Sequence, residues 1–171
     1  MDNIDLLKGW IQLALKDWDA ARSLNVNVHR GPIVYHIQQF VEKLCKAVIV
    51  SLGFEPPKTH FPSKIIDSIL TEIELGNLKL QMTREEKNLL EKISNLAKSI
   101  EDENVRPRYG IRHVDLIILP EEIYSKDQIE LFERDARYIA FLVASFLEIR
   151  NYCEKIPEKC AELKQLWKEE N

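Results

Sequence analysis

Arginine and histidine side chains are concentrated in one irregular stretch of the chain, which reads RPRYGIRH at residues 106–113. Arginine offers a planar fork of donors to phosphate oxygens, and histidine is the side chain best suited to proton transfer near neutral pH. Such groups can cleave RNA without a metal. A base takes the 2′-hydroxyl proton, an acid protonates the leaving 5′-oxygen, and cations stabilise the pentavalent phosphate.

Two arginines of this stretch precede its histidine at a short spacing. Arg108 is separated from His113 by four residues, and Arg106 by six. We take Arg108 and His113 as the candidate catalytic pair, with Arg106 as an alternative arginine and as a phosphate ligand. The other interpretation is a solvated loop in which the arginines pair with the acidic residues at 101–103.

A second group of polar side chains recurs every three or four residues, on a helix face distinct from the apolar stripe. Its members are His36, Gln39, Glu42, Lys43 and Lys46. We predict that Lys43, Lys46 and His36 line a groove that accepts a phosphate. Gln39 and Glu42 would then orient them or accept hydrogen bonds from ribose or base. The alternative is an ordinary solvated face in which Glu42 and Lys46 form an ion pair four residues apart.

His60 follows this helix in the segment PPKTH at residues 56–60. The next helix is predicted to begin at Ser63, with the serine as its cap. Because a helix N-terminus attracts anions, His60 beside it is a candidate ligand-binding residue. Alternatively, His60 only caps or packs against a neighbouring helix.

The elements that position these residues are predicted to be helices. Apolar residues recur at helical spacing in segments near 3–24, 32–52, 63–75, 83–100 and 125–150. Capping boxes at 83–86 and 125–128 mark two of the helix starts. We therefore predict an all-α, up-and-down bundle of about five helices over residues 1–156. Residues 101–113 are predicted to be a loop, and 157–171 a short final helix or a frayed tail. The run at 114–119 is predicted to be a short extended segment, with a helical segment as the alternative because the run is so short.

Composition and missing motifs argue against several classes of function. The chain has 171 residues, 45% hydrophobic and 30% charged, with a net charge of −4, so any nucleic-acid contact must be a local patch. The sequence lacks a glycine-rich phosphate loop, a metal-ligand spacing and a GxSxG motif, so we predict no metal and no cofactor.

The cysteines and the N-terminal sequence are used to predict the cellular location of the protein. Cys45, Cys153 and Cys160 are odd in number and form no CxxC pair, so we interpret all three as reduced thiols. We find no signal-peptide pattern and no apolar run of the ~20 residues that a membrane span requires. We expect a cytoplasmic protein without a membrane segment.

Two motifs in sequence resemble those of a known family. The pattern QQ-x-x-EK-x-x-KA at 38–47 is followed by P-x-TH at 57–60, an arginine-rich RYG at 108–110 and a long apolar terminal helix. Over about residues 6–148 the chain resembles the HEPN family (higher eukaryotes and prokaryotes nucleotide-binding). The resemblance implies a bundle of about five helices that usually dimerises. It also implies a toxin, a ribonuclease or a partner of a minimal nucleotidyltransferase.

The resemblance leaves two main functions open. One is a homodimer that binds nucleotide or RNA phosphate, and whether it also acts as a metal-independent ribonuclease of toxin–antitoxin type is a second question. If it cleaves RNA, His113 is the acid/base, Arg108 clamps the phosphate, and the loops of two subunits meet at the dimer seam. The other is a non-catalytic module that binds a separate minimal nucleotidyltransferase. Tyr109 and Pro107 stand directly after Arg108 and Arg106, where the ribonuclease branch usually has Asn, Asp or His, and this departure counts against the ribonuclease assignment. A structural dimer without a ligand is a third option.

Overall fold

A computed structural model describes residues 3–168 of the chain. Within that range the chain forms six helices of twelve or more residues, two single helical turns and one two-stranded hairpin. In chain order these are α1 (Asn3–Ser23), α2 (Arg30–Ser51), α3 (Pro62–Glu74), α4 (Arg84–Glu101), α5 (Arg106–Tyr109), β1 (Ile111–His113), β2 (Leu116–Ile118), α6 (Pro120–Ile123), α7 (Lys126–Ile149) and α8 (Pro157–Lys168). The predicted all-α bundle is confirmed.

Helix α2 is the centre of the bundle. It contacts α1, α3, α4 and α7, as well as the single turns α5 and α6. Its apolar side chains Ile37, Leu44 and Val48 are fully buried. Burying a large aliphatic side chain contributes about 1.5–3 kcal/mol. Helices pack around α2 and enclose part of its polar face: Glu42 and Lys46 are only 4% and 8% exposed, while the side chains of His36 and Lys43 are 30% and 20% exposed. The interpretation of an ordinary solvated face is therefore wrong for Glu42 and Lys46, although the expected ion pair between these two residues is present.

The helix starts at 83 and 125 are confirmed. The Thr83 hydroxyl accepts a hydrogen bond from the Glu86 N–H, and the Glu86 carboxylate accepts one from the Thr83 N–H. Ser125 and Gln128 form the same reciprocal pair. These boxes are short-range, so the local sequence suffices to define them.

The predicted cap at Ser63 is wrong. Helix α3 begins one residue earlier, at Pro62, and Phe61 is its N-cap. Proline suits a first helical position because it lacks the N–H that would be unpaired there. Ser63 consequently lies inside the first turn, where its N–H and its hydroxyl donate to the carboxylate of Glu101.

The predicted loop at 101–113 is partly wrong. Arg106–Tyr109 form one helical turn, and Ile111–His113 pair antiparallel with Leu116–Ile118. His113 lies opposite Leu116, so the expected extended segment at 114–119 is confirmed as the second strand of this hairpin. Gly110 joins the turn to the strand at φ +68°, and a Cβ there would lie 2.1 Å from the Ile118 carbonyl oxygen. Only glycine allows this approach.

The prediction of three reduced cysteines is wrong for two of them. Cys153 and Cys160 form a disulfide with 5.6 Å between their Cα atoms, and it joins the α7–α8 connection to α8. The short connection folds back and brings the two thiols together, although the sequence has no paired-cysteine motif. Cys45 is a free, buried thiol.

The C-terminal segment is helical from Pro157 to Lys168, and residues 169–171 lie outside the described range. Helix α8 packs on α7, where Trp167 contacts the rings of Tyr138 and Phe141. Among the helices described, none combines the length and apolar character needed to cross a bilayer.

Candidate functional site

A small cavity lies where α2 meets the start of α3, the end of α4 and the turn α5. Its volume is about 60 Å³, and its walls are Gln38, Gln39, His60, Phe61, Glu101, Asn104, Val105 and Arg108. The fold thus brings together three predicted site residues that are far apart in sequence, Gln39, His60 and Arg108. His113 is not part of this wall.

Arg108 is held by aromatic rings. Its guanidinium carbon lies 5.2 Å from the ring centre of Tyr35 and 5.4 Å from that of Tyr109. Within residues 3–168, no carboxylate lies close enough to Arg108 to form an ion pair. Its charge is therefore available to a ligand. Arg108 also borders an open groove of about 390 Å³, lined with Pro32, Tyr35, Pro107, Pro120 and Glu121.

Arg106 and His113 lie on either side of Arg108 along the chain. Arg106 is half exposed and lies 3.7 Å from the Glu103 carboxylate. That carboxylate also accepts a hydrogen bond from the Tyr124 hydroxyl at 2.8 Å. His113 is exposed on β1. The expected pairing of these arginines with acids at 101–103 is thus found for Arg106 and not for Arg108.

Glu42 is the centre of a buried polar cluster beside the cavity. Its Oε1 accepts from Lys46 Nζ at 2.7 Å, while its Oε2 lies 3.1 Å from Gln39 Nε2 and 3.0 Å from His60 Nδ1. A buried charge is tolerated when it is paired and fully hydrogen-bonded, as this one is. Lys46 is engaged in this cluster and lies 5.2 Å from the ring centre of Trp10.

Lys43 is positioned by α1. It forms an ion pair with the Asp17 carboxylate, whose other oxygen lies 3.0 Å from His36 Nδ1. Lys43 and Lys46 therefore each have an acidic partner, and their predicted roles in ligand binding stay predictions.

Glu101 is a site residue that the sequence reasoning missed. It is 1% exposed and lies on the cavity wall. Burial raises the pKa of its carboxyl group, hydrogen bonds from Ser63 oppose that shift, and the nearby charge of Glu42 adds to it. Glu101 stands four residues after the buried Ala97, so the helical period already placed it on the inner face of α4.

The thiol of Cys45 is buried beside these carboxylates. Burial raises its pKa well above the ordinary value, and the charges of Glu101 and Glu42 raise it further. A thiol kept protonated is a poor nucleophile. Thiol chemistry at Cys45 is accordingly disfavoured. Across the described residues, His, Cys, Asp and Glu side chains form no group of three that could hold a metal ion.

Comparison with known proteins decides the family. The model of the HEPN domain family matches residues 7–156, which is most of the chain.

The chain belongs to the HEPN domain family.

A curated relative is similar to the chain over most of its length. The protein named "Putative toxin MJ1304" from Methanocaldococcus jannaschii is 31% identical over 148 residues, which cover 85% of this chain and 91% of that protein. No solved structure matches the chain. The HEPN resemblance inferred from the α2 and PPKTH motifs is confirmed, and those motifs form two walls of the cavity.

Proposed function

We propose that this HEPN protein binds RNA through its phosphate groups at Arg108 and cleaves it without a metal, as a toxin. The observation that carries the proposal is the guanidinium of Arg108, which faces a cavity with His60 and Gln39 and has no acidic partner within the described residues. An unpaired arginine fork is suited to a phosphodiester. The name of the curated relative supports the toxin assignment.

The surroundings of Arg108 suit a single RNA strand. Tyr109 is 67% exposed beside the guanidinium, and the ring of Tyr35 lies at a similar distance from it. Aromatic rings next to a cation are a common platform for unpaired bases, and stacking contributes about 1–3 kcal/mol per base. Arg106 adds a second cation in the same helical turn. In this proposal, Arg108 clamps the phosphate and His113 is an acid/base in the cleavage step.

A homodimer is part of the proposal. The hairpin that carries His113 pairs with no third strand within residues 3–168, and large apolar side chains in it and beside it are exposed: Ile111, Val114, Leu116, Ile117 and Leu119 are 37–75% exposed. Contiguous exposed apolar residues on an edge strand indicate a protein contact. A second subunit docked there would place two copies of the Arg108–His113 segment at one seam.

The proposal is tested with a single-stranded RNA labelled at its 5′ end, incubated in EDTA. We expect cleavage by the wild type. Arg108→Ala should weaken RNA binding about ten- to hundred-fold, because a charged hydrogen-bond donor to phosphate is lost. It should also reduce the slope of log affinity against log salt by roughly 0.7.

Arg134→Ala is the matched control, because Arg134 is exposed on α7 and paired with Asp135. It should bind and cleave as the wild type does. If Arg108→Ala kept the affinity, salt slope and cleavage rate of the wild type, the proposal would be wrong.

The second candidate is a non-catalytic partner of a minimal nucleotidyltransferase. The same exposed hairpin favours it, since an apolar edge can also receive a different protein. A purified protein that leaves RNA intact in EDTA, and that binds a nucleotidyltransferase through this hairpin, would decide for this candidate.

A further inference from the structure

His60 has the geometry of an acid/base residue, which neither the family match nor the relative's name assigns. Its side chain is 71% exposed, yet its Nδ1 lies 3.0 Å from Oε2 of Glu42, whose side chain is only 6% exposed. A carboxylate accepts hydrogen bonds, so Nδ1 carries the hydrogen and Nε2 is left to exchange a proton with a ligand. A buried carboxylate fixes the tautomer of catalytic histidines in the same way.

The carboxylate that orients His60 is itself held in place. Lys46 and Gln39 both donate to Glu42 from neighbouring positions on α2, at 2.7 and 3.1 Å. Three donors from two elements leave the carboxylate little freedom to rotate. The direction of the imidazole is thus determined by the central helix of the bundle rather than by the surface segment that carries it.

The position of His60 links it to Arg108. Both side chains line the same small cavity, together with Gln38 and Gln39. A phosphate that Arg108 holds at this cavity has an imidazole on its border. The pair His36–Asp17 has the same 3.0 Å separation, but it lies between α1 and α2 beside Lys43 and is not part of the cavity wall. It therefore serves as an internal control.

We propose that His60, positioned by Glu42, is the catalytic base for RNA cleavage at this cavity, and that His113, which lies outside the cavity wall of its own subunit, acts as the acid through the dimer seam. This inference rests on the proposed function. Nε2 of His60 takes the proton of the 2′-hydroxyl, the O2′–P bond forms, and the P–O5′ bond breaks while His113 gives a proton to O5′. The products are a 2′,3′-cyclic phosphate and a 5′-hydroxyl, and no oxidant or other reactant is needed. Glu42 stabilises the imidazolium that forms, and this favours the role of base for His60.

The first experiment compares two RNA substrates that differ at the leaving atom. One has the normal 5′-oxygen, and the other has a 5′-bridging sulfur, which leaves without a proton. On normal RNA, His60→Ala and His113→Ala should each lower the cleavage rate by about 10²–10⁴-fold. On the sulfur substrate, the cleavage rate of His113→Ala should return close to that of the wild type, while that of His60→Ala should stay low. The control His29→Ala changes an exposed histidine that precedes α2 and makes no side-chain capping hydrogen bond, and it should remain within about two-fold of the wild type on both.

The second experiment measures the tautomer of the His60 imidazole directly and does not depend on RNA cleavage. Nitrogen-15 histidine spectra of the wild type should show His60 with its hydrogen on Nδ1, and Glu42→Gln should change that signature while the His36 signals stay. RNA that carries a 2′-deoxy sugar at the scissile position should shift the His60 signals in the wild type and not in Arg108→Ala.

The outcomes separate the two proposals. If the wild type cleaves RNA and His60→Ala cleaves equally fast, the role of His60 is overturned and the proposed function stands. Recovery of His60→Ala on the sulfur substrate would make it the acid and overturn its assignment as base. If the wild type does not cleave RNA, both proposals fail.

Discussion

The surroundings of two buried glutamates of the bundle shift their pKa values in opposite directions. Glu101 is enclosed near another carboxylate, and burial raises its pKa. For Glu86, burial also acts to raise the pKa, but hydrogen bonds from Thr83 and from Arg150, at 2.7 Å, outweigh it and the pKa is lowered. Because any difference in pKa between the folded and unfolded chains makes the free energy of unfolding depend on pH, the two groups should impose opposite pH dependences on stability.

The direction of each pH dependence follows from the number of protons that the group binds in the folded and unfolded states. Between its ordinary and its raised pKa, Glu101 holds a proton in the folded state that it loses in the unfolded state, so stability falls as pH rises through this range. Glu86 behaves in the reverse sense, and its contribution is lost as pH falls through the lowered pKa. In Glu101→Gln, the free energy of unfolding should no longer fall as the pH rises from the ordinary to the raised pKa. In Glu86→Gln, it should no longer rise as the pH increases from the lowered pKa to ~4.5. Urea unfolding from about pH 2 to pH 8, a range that includes the window between the lowered pKa of Glu86 and ~4.5, measures this, and variant curves parallel to that of the wild type would contradict it.

The contact between α2 and the arginine turn depends on one small residue. A Cβ at Gly31 would lie 2.5 Å from the Cβ of Pro120 and 2.6 Å from the carbonyl oxygen of Pro107. The N-terminus of α2 therefore packs directly on α5 and α6. This contact fixes the element that carries Arg108 against the helix that carries Tyr35.

Gly31→Ala should separate these elements. The added methyl group cannot be accommodated against backbone, so we expect a loss of about 1–3 kcal/mol in unfolding free energy and weaker RNA binding, as Arg108 moves from its cavity. Gly9→Ala is the control, because nothing lies within 4 Å of a Cβ at that position of α1. It should be neutral or stabilising by up to about 1 kcal/mol. Equal stability of the two variants in thermal unfolding would refute the packing argument.

The helices could be predicted from the sequence to a greater extent than the elements between them. The capping boxes at Thr83 and Ser125 and the apolar period are local signals, and each led to a helix. The hairpin was missed in part because Val114 occupies its turn at φ +48°, a conformation that valine rarely adopts. Whether the polar face of α2 is covered depends on where α3 and α4 dock. No local pattern contains that information.

At the scale of the whole molecule, the exposed hairpin predicts self-association. Ile117→Asp places a charge on the apolar face of β2, where the side chain is 60% exposed. We expect the wild type to be a dimer in light scattering and this variant to be a monomer with unchanged helical content. Leu131→Asp changes a similarly exposed leucine of α7 and should remain dimeric. A monomeric wild type, or a dimer that survives Ile117→Asp, would exclude the hairpin as the seam.

The disulfide between Cys153 and Cys160 closes a small covalent ring at the junction of α7 and α8. Lys155 and Lys159 lie inside that ring, so a protease that cuts after lysine can open the backbone there without dividing the molecule. After a cut at Lys155, residues 156–171 would stay attached through sulfur, and Trp167 would remain tethered near the aromatic rings of α7. The same cut in the reduced chain would release a free C-terminal peptide.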